Sequence, residues 1–244
     1  MSTIAICSGK GSPGATFVAL NLAASLARDA DTLLIDLDPS GGDLAAYLGL
    51  DPRRGLFPLT RVTGATLSRP ALAAEAQRRE RLRIVAGFPD GCDSSAAELL
   101  PQILDASCDT EGFVVADLGR VSHRTPACVE VADATLIVVR PDLVSVAGAE
   151  RALRFLSQAG ISDERIHVVV NALERRRPAD IAEVSVALGR PVIASIPLDR
   201  SEARAALLAQ RPVLKGRIVD AMRDLGDKLR ALTPASVGEL EVPA

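Results

Sequence analysis

Short, unbroken apolar runs recur along the chain, separated by stretches in which apolar residues return every three or four positions. The runs cover residues 4–7, 32–35, 82–87, 112–117, 134–139 and 166–171. Runs of this length bounded by turn residues predict strands buried on both faces, as in a parallel sheet. The helical spacing predicts helices over 17–28, 71–81, 96–104, 144–156, 179–188 and 217–232. The first carries Val18, Leu20, Leu22 and Leu26 with alanines between them. Residues 55–81 are the least regular part, punctuated by Pro58, Gly64 and Pro70. Strand alternating with helix throughout implies an α/β fold, a mainly parallel, twisted sheet covered by helices on both faces. Residues 1–232 read as one domain. Residues 233–244, with Pro234, Gly238 and Pro243, read as a disordered tail.

Composition narrows the function classes. Hydrophobic residues make up 48% of the 244, enough for a sizeable core, while aromatics make up 2% and tryptophan is absent. Aromatic platforms for single-stranded nucleic acid are therefore disfavoured. A net charge of −3 gives no general attraction to DNA or to anionic lipid. The clustered Arg175, Arg176 and Arg177 read as a solvated loop, and the mixed charges of 217–232 as a solvated surface helix. Cys7, Cys92, Cys108 and Cys128 show no C-x-x-C spacing and read as small buried hydrophobes. No apolar run approaches the ~18 residues that span a bilayer, so no transmembrane segment is expected. The first strand begins too early for a signal peptide, and the expected location is the cytoplasm.

The stretch that organises the chain is Ser8-Gly9-Lys10-Gly11-Ser12-Pro13-Gly14-Ala15-Thr16-Phe17. It follows the first strand and opens the first helix, the context of a phosphate-binding loop. Gly9 and Gly14 bracket four residues, as in G-x-x-x-x-G-K-[ST], so several backbone N–H groups can converge on one anion beside a helix N-terminus. Thr16 stands where a hydroxyl would hold Mg²⁺, but the lysine expected after Gly14 is Ala15. The loop resembles the deviant phosphate loop of the ParA/MinD family, K-G-G-x-G-K-[ST], with the early lysine present as Lys10. The resemblance implies that Lys10 crosses a dimer interface to the partner's phosphates. Arginine outnumbers lysine 25 to 3, so a lysine here stands out.

The likeness continues down the chain. Asp36-Leu37-Asp38-Pro39 matches the family's D-x-D after the second strand, which would make Asp36 the metal-side carboxylate and Asp38 the switch residue linked to hydrolysis. The strand read as ending at Asp117 is similar to a Walker B element, with Asp117 beside the Mg²⁺. Asn171 falls at the family's adenine-reading position. Ile196-Pro197-Leu198-Asp199 resembles its I-P-x-D segment, whose backbone lies beside the purine. The run from Gly42 to Gly49 and the Leu118-Gly119-Arg120 segment are closest to TadZ/CpaE-like pilus-assembly members, with Gly119 replacing a proline.

The resemblance, over residues 3–232, implies ATP and Mg²⁺ as cofactors, a nucleotide-sandwich homodimer, and a protein partner that is positioned or that stimulates turnover. It implies a spatial organiser recruited to a pole or a membrane-associated machine. Ala15 implies weakened nucleotide binding and, if the protein is an ATPase, slow or partner-dependent hydrolysis. The alternatives left open are a nucleotide-independent pseudo-ATPase scaffold, a chromosome or plasmid partition ATPase, and a small-molecule enzyme or metal chaperone of the same superfamily.

Overall fold

The computed structural model describes residues 2–11, 13–51, 53–61, 68–108, 112–174 and 179–232. The Arg175–177 cluster, the whole of the expected tail and Ser12 of the loop lie outside them, so the readings made of those residues are not addressed by the structure. In chain order, the elements begin with β1 (Ser2–Ser8), α1 (Ala15–Leu26), β2 (Thr32–Asp36), α2 (Leu44–Leu48), α3 (Leu56–Arg61) and α4 (Arg69–Glu75). Then come β3 (Gln77–Arg79), β4 (Leu82–Val85), α5 (Ser94–Glu98), α6 (Leu100–Ser107), β5 (Phe113–Arg120) and α7 (Thr125–Val131). The chain continues with β6 (Ala134–Val139), α8 (Leu143–Gln158), β7 (Ile166–Leu173), α9 (Ala179–Leu188), β8 (Val192–Pro197), α10 (Arg200–Leu208) and α11 (Arg217–Leu232).

The strands form one eight-stranded sheet in the order β3-β4-β2-β5-β1-β6-β7-β8. Every neighbouring pair is parallel except β3 with β4, at the edge. Both faces are covered, as expected for strands that are apolar on both sides. One layer packs Val18, Leu22 and Leu26 of α1 against Ile4, Ile6, Leu34 and Val115 of the sheet, with Met222 and Leu225 of α11. The other sets Ile103 and Leu104 of α6, Val129 of α7 and Leu156 of α8 against Ile35, Val114 and Ile137. Cys7 and Cys128 are buried within it, and burial pushes the Cys128 thiol up to about 12.

Two expectations are corrected. The helix expected over 71–81 stops at Glu75, and Gln77–Arg79 instead turns back as the antiparallel edge strand β3. The reversal runs through Glu80, whose φ is 54°, and Asp51 anchors the strand by donating its backbone N–H to the Gln77 side chain over 2.9 Å. A polar three-residue strand has no apolar run to reveal it; pairing with β4 decides it. The strand expected to end at Asp117 runs on to Arg120, because Arg120 still pairs with Ser8 of β1 after a register shift. Asp117 therefore sits inside a strand.

Candidate phosphate-binding site

β1 lies in the middle of the sheet between β5 and β6, and its carboxyl end feeds the loop of residues 9–14. Crevices at the carboxyl ends of parallel strands are where open α/β sheets bind ligands. Ser8 pins the loop down: its hydroxyl donates to the Lys10 carbonyl over 2.8 Å and to the Gly119 carbonyl over 3.3 Å. Gly9 passes against the backbone of α8, where a Cβ would overlap the Gly148 carbonyl. Gly14 takes φ 92° as the residue before α1, and its carbonyl accepts the Val18 N–H over 3.0 Å. α1 thus points its free N–H groups into the curl of the loop, the arrangement that attracts an anion. Gly11 is exposed and open, Pro13 and Ala15 are buried, and Lys10, Thr16 and Phe17 are half-buried.

Two carboxylates stand beneath the loop. Asp36, ending β2, and Asp117 of β5 are register partners on neighbouring strands, and both are buried. Asp36 accepts N–H groups from Asp38 at 3.2 Å and Leu44 at 3.3 Å. Gly42 and Gly87 pack directly on it, leaving no room there for a side chain. Burial raises its carboxyl well above the usual range, the negative charge of Asp117 adds to the rise, and the two N–H groups oppose it. Asp117 Oδ1 accepts the Gly119 N–H over 3.0 Å. Its Oδ2 is buried with no hydrogen-bond partner among the described residues. Burial lifts Asp117 to about 6, while the Thr16 side chain lies close enough to pull it back without closing a hydrogen bond onto Oδ2.

A buried acceptor without a donor costs about 1–3 kcal/mol, so an unmet carboxylate oxygen beside a threonine hydroxyl suits a cation or its waters. Among the described residues, however, no group of three or more Asp, Glu, His or Cys could hold a metal by itself. The residues fit a Mg²⁺ whose remaining ligands come from phosphate and water, which is how this ion is commonly bound. Asp38 lies against Gly119, and its Oδ1 accepts the Ser40 N–H over 2.8 Å. Burial raises its carboxyl, and the Ser40 backbone and side chain lower it.

Asn171 has a contact that sequence alone did not suggest. Its amide Nδ2 donates to the Pro13 carbonyl over 2.8 Å, bracing the loop from β7, and the Gly14 backbone passes close beside it. Pro197 and Leu198 sit half-buried at the end of β8. Asp199 caps α10, accepting the Glu202 N–H over 3.1 Å and the Ser201 hydroxyl over 2.7 Å, which hold its carboxyl below the usual range. The sequence reading missed Gly148, which admits the loop, and Gly42 and Gly87, which admit Asp36. An isolated glycine in a helical pattern, as at Gly148, is the available signal of close packing.

Replacing Gly14 with alanine should destabilise the protein by about 2 kcal/mol, since an L-residue in that conformation costs roughly 1–2 kcal/mol and its methyl displaces the Asn171 amide. Urea denaturation checks this, and a change below about 0.5 kcal/mol would mean the loop is not held as described.

A family model described as the CobQ/CobB/MinD/ParA nucleotide binding domain matches residues 4–213. The chain belongs to this family. As a CobQ/CobB/MinD/ParA domain it is 26% identical over 179 residues to the septum site-determining protein MinD of Thermotoga maritima, covering 70% of this chain and 64% of that protein. The chain thus spans less than two thirds of that curated relative. Solved structures share the fold at lower identity. A ParA family ATPase from Chlorobium tepidum superposes with a TM-score of 0.79 at 22% identity, over 92% of this chain and 98% of that one. The MinC:MinD cell division complex of Aquifex aeolicus gives 0.76 at 21%, over 95% and 96%. MinD of Pyrococcus horikoshii complexed with Mg-ADP gives 0.69 at 20%, over 95% and 96%. Among the described residues, no helix of this family member is long and apolar enough to cross a membrane.

Proposed function

We propose that this chain is an ATP-binding, dimerising positioning protein of the ParA/MinD type, with weak or partner-dependent hydrolysis. The observation that carries the reading is the buried, unpartnered Oδ2 of Asp117 beneath a loop whose amides and helix end face the same crevice. In this reading the loop of residues 9–14 cradles the phosphates, and Thr16, Asp36 and Asp117 hold the Mg²⁺ that screens them. Asp38 orients the attacking water, and Lys10 reaches the phosphates of a second copy. Asn171, Pro197, Leu198 and Asp199 border the base, with the Asn171 amide shared between the base and the Pro13 carbonyl. A family described as nucleotide-binding supports the ligand, and the solved MinD complexed with Mg-ADP supports the metal.

A protein partner is supported by the MinC:MinD complex and by Leu143 and Val144, both exposed at the start of α8 near the loop. The cargo we propose is pilus or secretion machinery, on the likeness of residues 42–49 and 118–120 to TadZ/CpaE-like members. Titration of the purified protein with ATP and Mg²⁺, with its mass followed by light scattering, should give saturable binding at millimolar ATP and a doubling of mass. No heat and no mass change at that concentration would sink the reading.

The second reading is a nucleotide-independent scaffold. It is favoured by Ala15, which removes the neighbouring cation, and by the Asn171 amide, which is already engaged by the Pro13 carbonyl. It expects the same dimer mass with and without ATP.

A further inference from the structure

On the face of the sheet that α1 covers, the surface opens into a cavity of about 560 Å³ lined by none of the described residues of the phosphate loop. It lies between the second half of α1, the β3–β4 turn and residues 210–214 after α10. Its apolar wall is made by Ala24, Leu48, Leu82, Val213, Val219 and Met222. Among the described residues, five arginines stand around it, Arg28, Arg78, Arg79, Arg81 and Arg211, against the single carboxylate of Glu80.

Arg28 donates to the Leu214 carbonyl, Arg78 to Glu80, Arg79 to Arg78, Arg81 to Asp29 and Arg211 to Pro212, in every case a backbone oxygen. Elsewhere Arg54 and Arg165 also donate to backbone oxygens, whereas Arg53, Arg124, Arg154, Arg190 and Arg230 each reach a carboxylate. None of the five around the cavity is in an ion pair among the described residues. Five like charges thus crowd one opening against the one carboxylate of Glu80, in a chain whose net charge is −3. Guanidinium is weakly hydrated and its fork matches carboxylate and phosphate oxygens, so such a ring is a receptor for an anionic head.

The wall decides what else the ligand carries. A surface that only tracks a nucleic-acid backbone gains nothing from an apolar hollow, which would remain as exposed hydrocarbon. Among the described residues no aromatic side chain lines the cavity, so a flat base or ring has nothing to stack on. The volume lies within the range of ordinary small-ligand pockets, about 300–1,000 Å³. We infer that the cavity binds an amphiphilic anion, an aliphatic chain held by the apolar wall with a phosphate or carboxylate head held by the arginines. No described residue of the phosphate loop lines it, so this inference stands or falls independently of the ATP reading.

The full chain should be titrated calorimetrically with monomeric octyl phosphate, and separately with inorganic phosphate, with octanol and with an oligoglutamate peptide. Octyl phosphate should bind one per chain, at least about tenfold more tightly than any of the other three. The double change Arg79→Gln and Arg211→Gln, both at exposed positions, should weaken it about tenfold or more by removing two charge-assisted contacts. Ala24→Phe should fill the cavity and weaken it comparably. If that variant does not fold, Leu214→Phe at the exposed mouth serves the same purpose. ATP binding should be unchanged in every variant.

Flotation with phosphatidylglycerol vesicles separates the two sources of such a ligand. Capture that is lost in the arginine variant assigns a bilayer lipid, and binding of the monomer without capture assigns a free amphiphile; either supports the site. Equal affinity for phosphate or oligoglutamate, no octyl phosphate binding together with no vesicle capture, or binding indifferent to both the arginine and the cavity-filling changes would overturn it.

Discussion

Restoring the missing cation by Ala15→Lys should tighten Mg·ATP binding by about 10- to 150-fold, the worth of one charge-assisted hydrogen bond of roughly 1.5–3 kcal/mol. The local charges argue for the upper part of that range. Asp36, Asp38 and Asp117 cluster below the loop, Asp43 adds its own repulsion, and burial already raises the first three. Without a lysine after Gly14, Lys10 is the one cation in the loop. A second ammonium would screen the carboxylates as well as the phosphates, so binding in the variant should also depend less steeply on Mg²⁺. Ala15 is buried in the first turn of α1, so the lysine stem must run out along the loop, and the thermal midpoint should be followed in parallel. Equilibrium titration at several Mg²⁺ concentrations measures both effects. An affinity unchanged in a stably folded variant would show that phosphate does not sit in this loop.

That the loop could be read from sequence at all follows from its being local. Strand, glycines and helix lie within about twenty residues, and the apolar run before Gly9 and the helical spacing after Thr16 are both written in the chain. Asp36 was legible for the same reason, since an unbroken run delivers it to a strand end. Asp117 was only half legible: its strand was evident, but where the strand stops depends on Arg120 pairing with Ser8, 112 positions away. The bracing of Pro13 by Asn171 joins residues 158 apart and has no sequence signal. The same holds for β3, whose Gln77-Arg78-Arg79 is polar throughout and becomes a strand only because β4 lies beside it. The arginine-rimmed cavity draws on α1, β3 and the chain after α10, so no single window of sequence contains it. Local chemistry is readable where one element makes the site, and is hidden where tertiary pairing assembles it.

The carboxylates under the loop should make the nucleotide-free protein less stable as the pH rises. Asp117 stands at about 6 in the folded chain against about 3.9 for an unperturbed aspartate, and Asp36 is raised as well. Between these pH values the folded state holds protons that the unfolded state has released, so unfolding stability falls as pH climbs through that window. From Asp117 alone the loss is absent below about pH 4, complete above about pH 6, and on the order of 3 kcal/mol, and Asp36 adds a loss of the same sign. Asp117→Asn keeps the acceptor for the Gly119 N–H and removes both the buried charge and its repulsion of Asp36. The variant should therefore be more stable than the native chain at pH 7.5 by on the order of 1–3 kcal/mol, or roughly 2–10 °C in thermal midpoint. At pH 4 the two should be nearly equal. Urea denaturation at both pH values, without nucleotide or Mg²⁺, measures this. The same substitution should weaken Mg·ATP binding, because the oxygen that costs stability in the empty fold is the one placed to meet the cation. A variant less stable at pH 7.5, with the native pH slope retained, would mean that Asp117 is an ordinary structural carboxylate.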